Sequence, residues 1–148
     1  MTLEERITAD MKTAMKAKDK VSLRGIRAVK SAILLQKTDG SGTVLDADGE
    51  ISMLQKLVKS RQDSLEIYTK QNREDLAVTE REEIEVISKY LPEQLSEDEL
   101  GALIDGIISK TGASSMRDMG KVMGIANSEA AGRADGKTIA SLVKAKLG

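Results

Sequence analysis

Three features of this sequence predict an all-α fold. Apolar residues recur three and four positions apart over most of the chain, the spacing of one helix face. Most of these stretches begin at a Thr, Ser or Asp able to cap a helix start. The single proline, Pro92, falls between two of them. The 148 residues then divide into a helical N-terminal domain of about four helices over residues 1–91, a linker at 92–95 and a three-helix C-terminal domain over 96–148.

The first helix starts at Thr2, which with Glu5 forms a capping box. Leu3, Ile7, Met11, Ala14 and Met15 are its apolar face. Lys18-Asp19-Lys20 interrupts the pattern, and a second helix follows with Leu23, Ile26, Val29 and Ile33 inward. It ends near Thr38-Asp39-Gly40-Ser41-Gly42, whose glycines make it the most flexible stretch of the sequence. Asp46-Ala47-Asp48-Gly49 invites comparison with a calcium loop. Such a loop would need glycine where Ile51 stands and glutamate where Leu57 stands, so these acids are assigned to a helix start. The third helix runs from about Ile51 to Gln71 on a stripe of Ile51, Leu54, Val58, Leu65 and Tyr68. Arg61 interrupts that stripe at the core or its rim.

The fourth helix ends at Tyr90-Leu91, because proline lacks an amide donor and disfavours helix at the residue before it. Leu91-Pro92-Glu93-Gln94-Leu95 is therefore the domain boundary. Ser96 and Glu99 form a second capping box, followed by Leu100, Leu103, Ile104 and Ile107. Thr111-Gly112 stops that helix. Ser115 caps the next, which carries Met116, Met119, Val122 and Met123 and ends at Gly132. Asp135 caps the last, with Ile139, Leu142, Val143 and Leu147 inward.

Composition narrows the chemistry. Hydrophobic residues are 40% and charged residues 32%, a mixture suited to a globular helical protein. No apolar run approaches the ~20 residues that span a bilayer, and the N-terminus has no signal-peptide pattern. With no cysteine, these features predict a cytoplasmic protein without a membrane partner. His, Cys, Trp and Phe are all absent. That removes the commonest general base, the thiol nucleophile and most base-stacking side chains, leaving Tyr68 and Tyr90. No cofactor, metal site or catalytic residue is assigned.

Net charge is −1, but unevenly placed. Residues 1–37 hold nine Lys/Arg and four Asp/Glu, a net of +5; residues 38–95 hold seven and thirteen, a net of −6; residues 96–148 hold seven of each. Either the basic first hairpin packs beside the acidic second one, or it presents a basic binding face. Lys20, Arg24, Arg27 and Lys30 form a basic ridge on the second helix, suited to phosphates or to pairing with the acidic helices. Glu80, Glu82, Glu83 and Glu85, beside Arg81 and Lys89, read as a solvated helix face.

Met119-Gly120-Lys121-Val122-Met123-Gly124 is more informative. A glycine inside a helix costs roughly 1 kcal/mol against alanine. Gly120 and Gly124 share one face and admit close approach, either of a neighbouring helix or of an RNA sugar–phosphate chain. Gly132-Arg133-Ala134-Asp135-Gly136 reads as a turn between helices, with glycine at the left-handed stop and Asp135 capping. The cap occupies amides that a phosphate would use, while Arg133 is left to reach outward.

Four stretches carry a resemblance: Leu23-Arg24; Arg73-Glu74-Asp75-Leu76; Glu83-Ile84-Glu85-Val86-Ile87-Ser88-Lys89-Tyr90-Leu91-Pro92; and Met119–Gly124 with Gly132–Gly136. Their order resembles the YqeY protein family over nearly the whole chain. That family shares its C-terminal domain with the tail of the B subunit of the glutamine-dependent tRNA amidotransferase. The resemblance implies a helical N-terminal domain joined to a three-helix C-terminal domain. It also implies a tRNA-contacting role for the tail, since in the amidotransferase the amidation chemistry lies in other domains and subunits. Gly25 departs from the pattern, standing where a larger aliphatic residue is expected, so close packing is not predicted there.

The sequence thus predicts a non-catalytic accessory protein that contacts tRNA or a tRNA-processing complex. Candidate RNA contacts are Lys121, Arg133, Lys137, Lys144, Gly120 and Gly124, then the ridge Lys20, Arg24, Arg27 and Lys30. One alternative is a protein–protein adaptor whose glycine-faced sixth helix docks a partner helix. Another, by family association alone, is a carbon–nitrogen ligase with glutamine as amido-nitrogen donor, although the chain shows no nucleotide-binding loop.

Overall fold

A computed structural model describes residues 2–39 and 45–148. Among these the chain forms seven α-helices and one 3-10 turn, with no strand. They are α1 (Leu3–Ala17), α2 (Lys20–Thr38), α3 (Ala47–Lys70), α4 (Glu74–Ser88), α5 (Glu97–Thr111), the 3-10 turn Met116–Asp118, α6 (Met119–Ala130) and α7 (Gly136–Leu147). The all-α expectation holds. The helices fall into two compact units, Met1–Leu91 and Pro92–Gly148.

In the first unit, α1 and α2 make a hairpin. Thr2 and Glu5 cap α1 reciprocally, each side chain bonding the other's backbone amide at 3.1 Å. Lys18 (φ 56°) then turns the chain left-handed, and Asp19 caps α2 through the Ser22 amide at 3.1 Å. Lys37 at the end of α2 meets Glu4 at the start of α1 at 2.6 Å, which fixes the hairpin as antiparallel. The glycine-rich stretch expected to be flexible lies, at 40–44, outside the described residues. The core joins Leu3, Ile7, Ile26, Val29 and Ile33 to Met53, Leu54 and Val58 of α3 and to Val86 and Ile87 of α4.

Gly25 corrects an expectation. It is buried and faces α4 so closely that a Cβ there would stand 2.5 Å from Val86 Cγ1. The missing side chain admits Val86, so α2 and α4 approach closely at a position where close packing was not expected. Met15, expected inward, is 55% exposed. Eight residues beyond buried Ile7, it lies about 80° round the helix from that row.

Two boundaries also shift. α3 begins at Ala47, not Ile51, because Asp46 takes the cap, its carboxylate accepting the Gly49 amide at 2.7 Å. Asp48 and Glu50 then sit in the first turn, where the helix dipole favours acids. α4 ends at Ser88; Tyr90 and Leu91 donate to the carbonyls of Ile87 and Ser88, three residues back, and so tighten the chain before Pro92.

In the second unit, Leu100, Ile104 and Ile107 of α5 pack with Val122, Ala126 and Ala130 of α6 and with Ile139, Val143 and Leu147 of α7. Ser96 and Glu99 form the expected capping box. Ser115 makes no side-chain cap; a 3-10 turn intervenes, and the Asp118 carboxylate accepts the Ser114 amide at 3.1 Å. α6 stops at Ala130, two residues before Gly132. Ala131 (φ 47°) takes the left-handed cap position, and Gly132 (φ 82°) continues the turn. Asp135 caps α7 through the Thr138 amide at 2.7 Å.

Segment 92–95 is bonded to the α6–α7 turn. The Leu95 amide donates to the Arg133 carbonyl at 2.7 Å. Gln94 Nε2 donates to the carbonyls of Pro92 and Gly132, at 2.8 and 3.0 Å. Arg133 Nε donates to the Glu93 carbonyl at 3.0 Å.

Candidate functional site

α6 presents two sides. Val122, Ala126 and Ala130 are buried, with Met119 and Met123 half-buried beside them. Gly120, Lys121 and Gly124 are exposed on the other side. A Cβ at Gly120 or Gly124 would meet no atom within 4 Å. Neither glycine therefore packs against a neighbouring helix among the described residues. Lys121 stands between them in sequence on this open side.

α7 contributes Lys137 and Lys144, both exposed. Seven residues apart, they lie on one helix face about 10 Å apart along the axis. Lys146 is drawn off to Asp105 of α5 at 2.7 Å. Arg133 departs from the expectation that it is left to reach outward, since its guanidinium bonds the Glu93 carbonyl. It positions the 92–95 segment, and any role towards a ligand falls to its remaining nitrogens.

The basic ridge of α2 is split. Arg24 meets Glu82 of α4 at 3.2 Å, so one member pairs with the acidic hairpin, while Lys20, Arg27 and Lys30 are exposed. Glu83 is engaged in turn by Arg61, whose Nε lies 3.1 Å from its carboxylate and whose Nη1 donates to the Leu57 carbonyl at 3.0 Å. The pair is only 19% and 17% exposed, so Arg61 does sit at the rim of the core. Two of the four glutamates are thus held in ion pairs. Among the described residues no group of three His, Cys, Asp or Glu is placed to hold a metal.

Sequence reasoning missed a cluster at the end of α4. The Tyr90 hydroxyl donates to the Asp10 carboxylate, and the Arg6 guanidinium lies 5.1 Å from the Tyr90 ring centre. Burial, then the bond to Asp10, raises the phenol's pKa above its ordinary value. The signal was available in principle, since Arg6 and Asp10 stand four apart on one face of α1. Their partner eighty residues away was not.

These features define a small helical protein in two units, with basic and glycine-bearing surfaces and no helix among the described residues long and apolar enough to cross a membrane. Comparison with known proteins places it more closely. The Yqey-like protein family matches residues 4–147, and the chain belongs to that family. It is 36% identical over 103 residues to the protein of Lachancea thermotolerans named "Altered inheritance of mitochondria protein 41, mitochondrial", a match covering 68% of this chain and 55% of that one. The protein of the same name from Pyrenophora tritici-repentis is 31% identical over 131 residues, covering 87% of this chain and 71% of that one. The match to the Vanderwaltozyma polyspora protein of that name covers 44% of it, so the chain spans about half the length of these yeast relatives. Those names place the relatives in mitochondria.

Proposed function

We propose that this protein is a non-catalytic accessory factor that contacts tRNA or a tRNA-processing complex through its second unit. The observation that carries this is the open face of α6, where Gly120 in the first turn and Gly124 one turn on have open space where a side chain would stand, beside Lys121. A glycine pair has a cost in helix stability, and packing within the unit does not account for it here. The pair lies in the segment that resembles a tRNA-contacting tail. Lys137 and Lys144 on α7 add positive charge without aromatic platforms, because both tyrosines precede Pro92. Binding would then rest on phosphate contact and shape, with little sequence preference. We assign the protein to the cytoplasm, which cell fractionation tests directly.

The test is a tRNA titration at two salt concentrations, with Lys121, Lys137 and Lys144 replaced by alanine singly and together. Binding should weaken steeply with salt, and the triple variant should lose both affinity and part of the salt slope. Arg133 is left intact, since its removal would also release Glu93. Absence of binding at low salt would reject direct RNA contact. Glutamine-dependent amidation is a separate outcome: ammonia release from glutamine that disappears on a single substitution in this chain would make it an enzyme instead.

A further inference from the structure

We propose that the outward face of α2, from Lys20 to Leu35, is a docking surface for an acidic amphipathic helix of a partner protein. Leu34 and Leu35 are 60% and 69% exposed, the two most exposed large apolar side chains among the described residues. They lie off the row Ile26, Val29 and Ile33 that α2 buries. Single exposed leucines are ordinary on protein surfaces. Here Leu34 continues a basic ridge, and Leu35, the next residue, lies about 100° round the helix from it. Lys30 is one helical turn before Leu34, and Arg27 two turns before it. Among the described residues no ion pair engages Lys20, Arg27 or Lys30, whereas Arg24 beside them is held by Glu82.

The surface is therefore a strip on one helix, cationic towards its start and apolar towards its end, about 22 Å long at helical rise. A partner helix with an acidic flank and an apolar stripe matches both halves, reading as apolar anchors with complementary charge alongside. The surroundings of the leucines favour this occupant over an anionic lipid surface. Lys37, the nearest cation beyond them, is paired with Glu4 at 2.6 Å. Apolar insertion would thus bring the Glu4 carboxylate towards the headgroups along with Lys30. The strip lies in the first unit and is independent of the proposed tRNA contact in the second.

The experiment uses the full chain and a designed helical peptide with leucines at three- and four-residue spacing and glutamates flanking them. The comparison peptide carries lysines in place of the glutamates. Fluorescence anisotropy of labelled peptide should show saturable binding of the acidic peptide, weakening as salt rises. The double variant Leu34→Gln/Leu35→Gln and the variant Arg27→Glu/Lys30→Glu should each weaken binding by roughly tenfold or more. These side chains are exposed, so circular dichroism should be unchanged; Leu34→Ala/Leu35→Ala provides a milder second variant. Equal binding of the lysine peptide, or no loss in the double variants, would overturn the proposal. So would no binding of the acidic peptide at low salt. Co-sedimentation with phosphatidylcholine–phosphatidylglycerol vesicles that is lost in the leucine variant, without peptide binding, would assign the strip to a membrane and overturn it equally.

Discussion

At the scale of single residues, the contact between Gly25 and Val86 leaves no room for a further side chain. Gly25→Ala gains up to about 1 kcal/mol of helix propensity. It also forces a Cβ into Val86, and overpacking of this kind costs about 1–3 kcal/mol. Urea denaturation should therefore show a net loss of stability. In a Val86→Ala background the same substitution should become neutral or stabilising, since the obstructing methyls are gone. Tyr90 offers a spectroscopic test. With only two tyrosines and no tryptophan, Tyr68→Phe leaves Tyr90 as the sole phenol. Its folded pKa lies above the ordinary 10.0. The stability it contributes is fully present below pH 10 and lost as pH rises through the folded value. Ultraviolet titration should show ionisation delayed in the folded protein and returning towards the ordinary value in urea.

At the scale of elements, helix ends were the most legible part of the chain. Thr2-Glu5 and Ser96-Glu99 were readable because a capping box is a local pattern. The acids at Asp46–Gly49 were rightly read as a helix start, but α3 was begun a turn late, at Ile51, because its cap precedes the apolar stripe; Ser115 was misassigned because a capping residue type does not by itself make a cap. Ala131 was also hidden: glycine next door looked the better left-handed residue, yet the turn begins one position earlier. Ala131→Gly should accordingly raise the thermal midpoint, by relieving a conformation costing alanine roughly 1 kcal/mol. Glu99 gives the second unit an acid-sensitive end. The Ser96 amide and then its hydroxyl hold the carboxyl below its ordinary 4.5. Its contribution is complete above that value and lost as pH falls through the folded pKa. Glu99→Gln should flatten the loss of stability with falling pH in that range while leaving neutral-pH helicity intact.

For the molecule as a whole, the helical class was legible because the 3.6-residue period runs nearly throughout. The candidate surfaces were legible only in part. Lys121, Gly120 and Gly124 stood out because interior helix glycines are costly. The exposure of Leu34 and Leu35 did not, because the stripe Leu23, Ile26, Val29 and Ile33 tells which face turns inward but not what covers the residues beside it. Arg133 was read as outward-facing because its acceptor, the Glu93 carbonyl, is forty residues away and belongs to the backbone. Those bonds make 92–95 part of the second unit's own structure. A fragment of residues 92–148 should therefore fold to a helical domain with a cooperative melt, whereas one starting at Ser96 should melt lower, having lost the bonds from Glu93, Gln94 and Leu95. Equal midpoints for the two would show that the segment contributes nothing to the unit.

The approach of Gly25 to Val86 also constrains how sequences of this family can diverge. The two positions share one small volume, so a side chain gained at one must be offset at the other. A side chain gained at position 25 alone is opposed, while paired exchange is open: alanine or serine at position 25 with alanine at position 86 keeps the helices at a similar distance. Positions 25 and 86 should therefore vary in size together across homologous chains, and that correlation would be an imprint of a contact sixty-one residues long in sequence and one side chain wide in space.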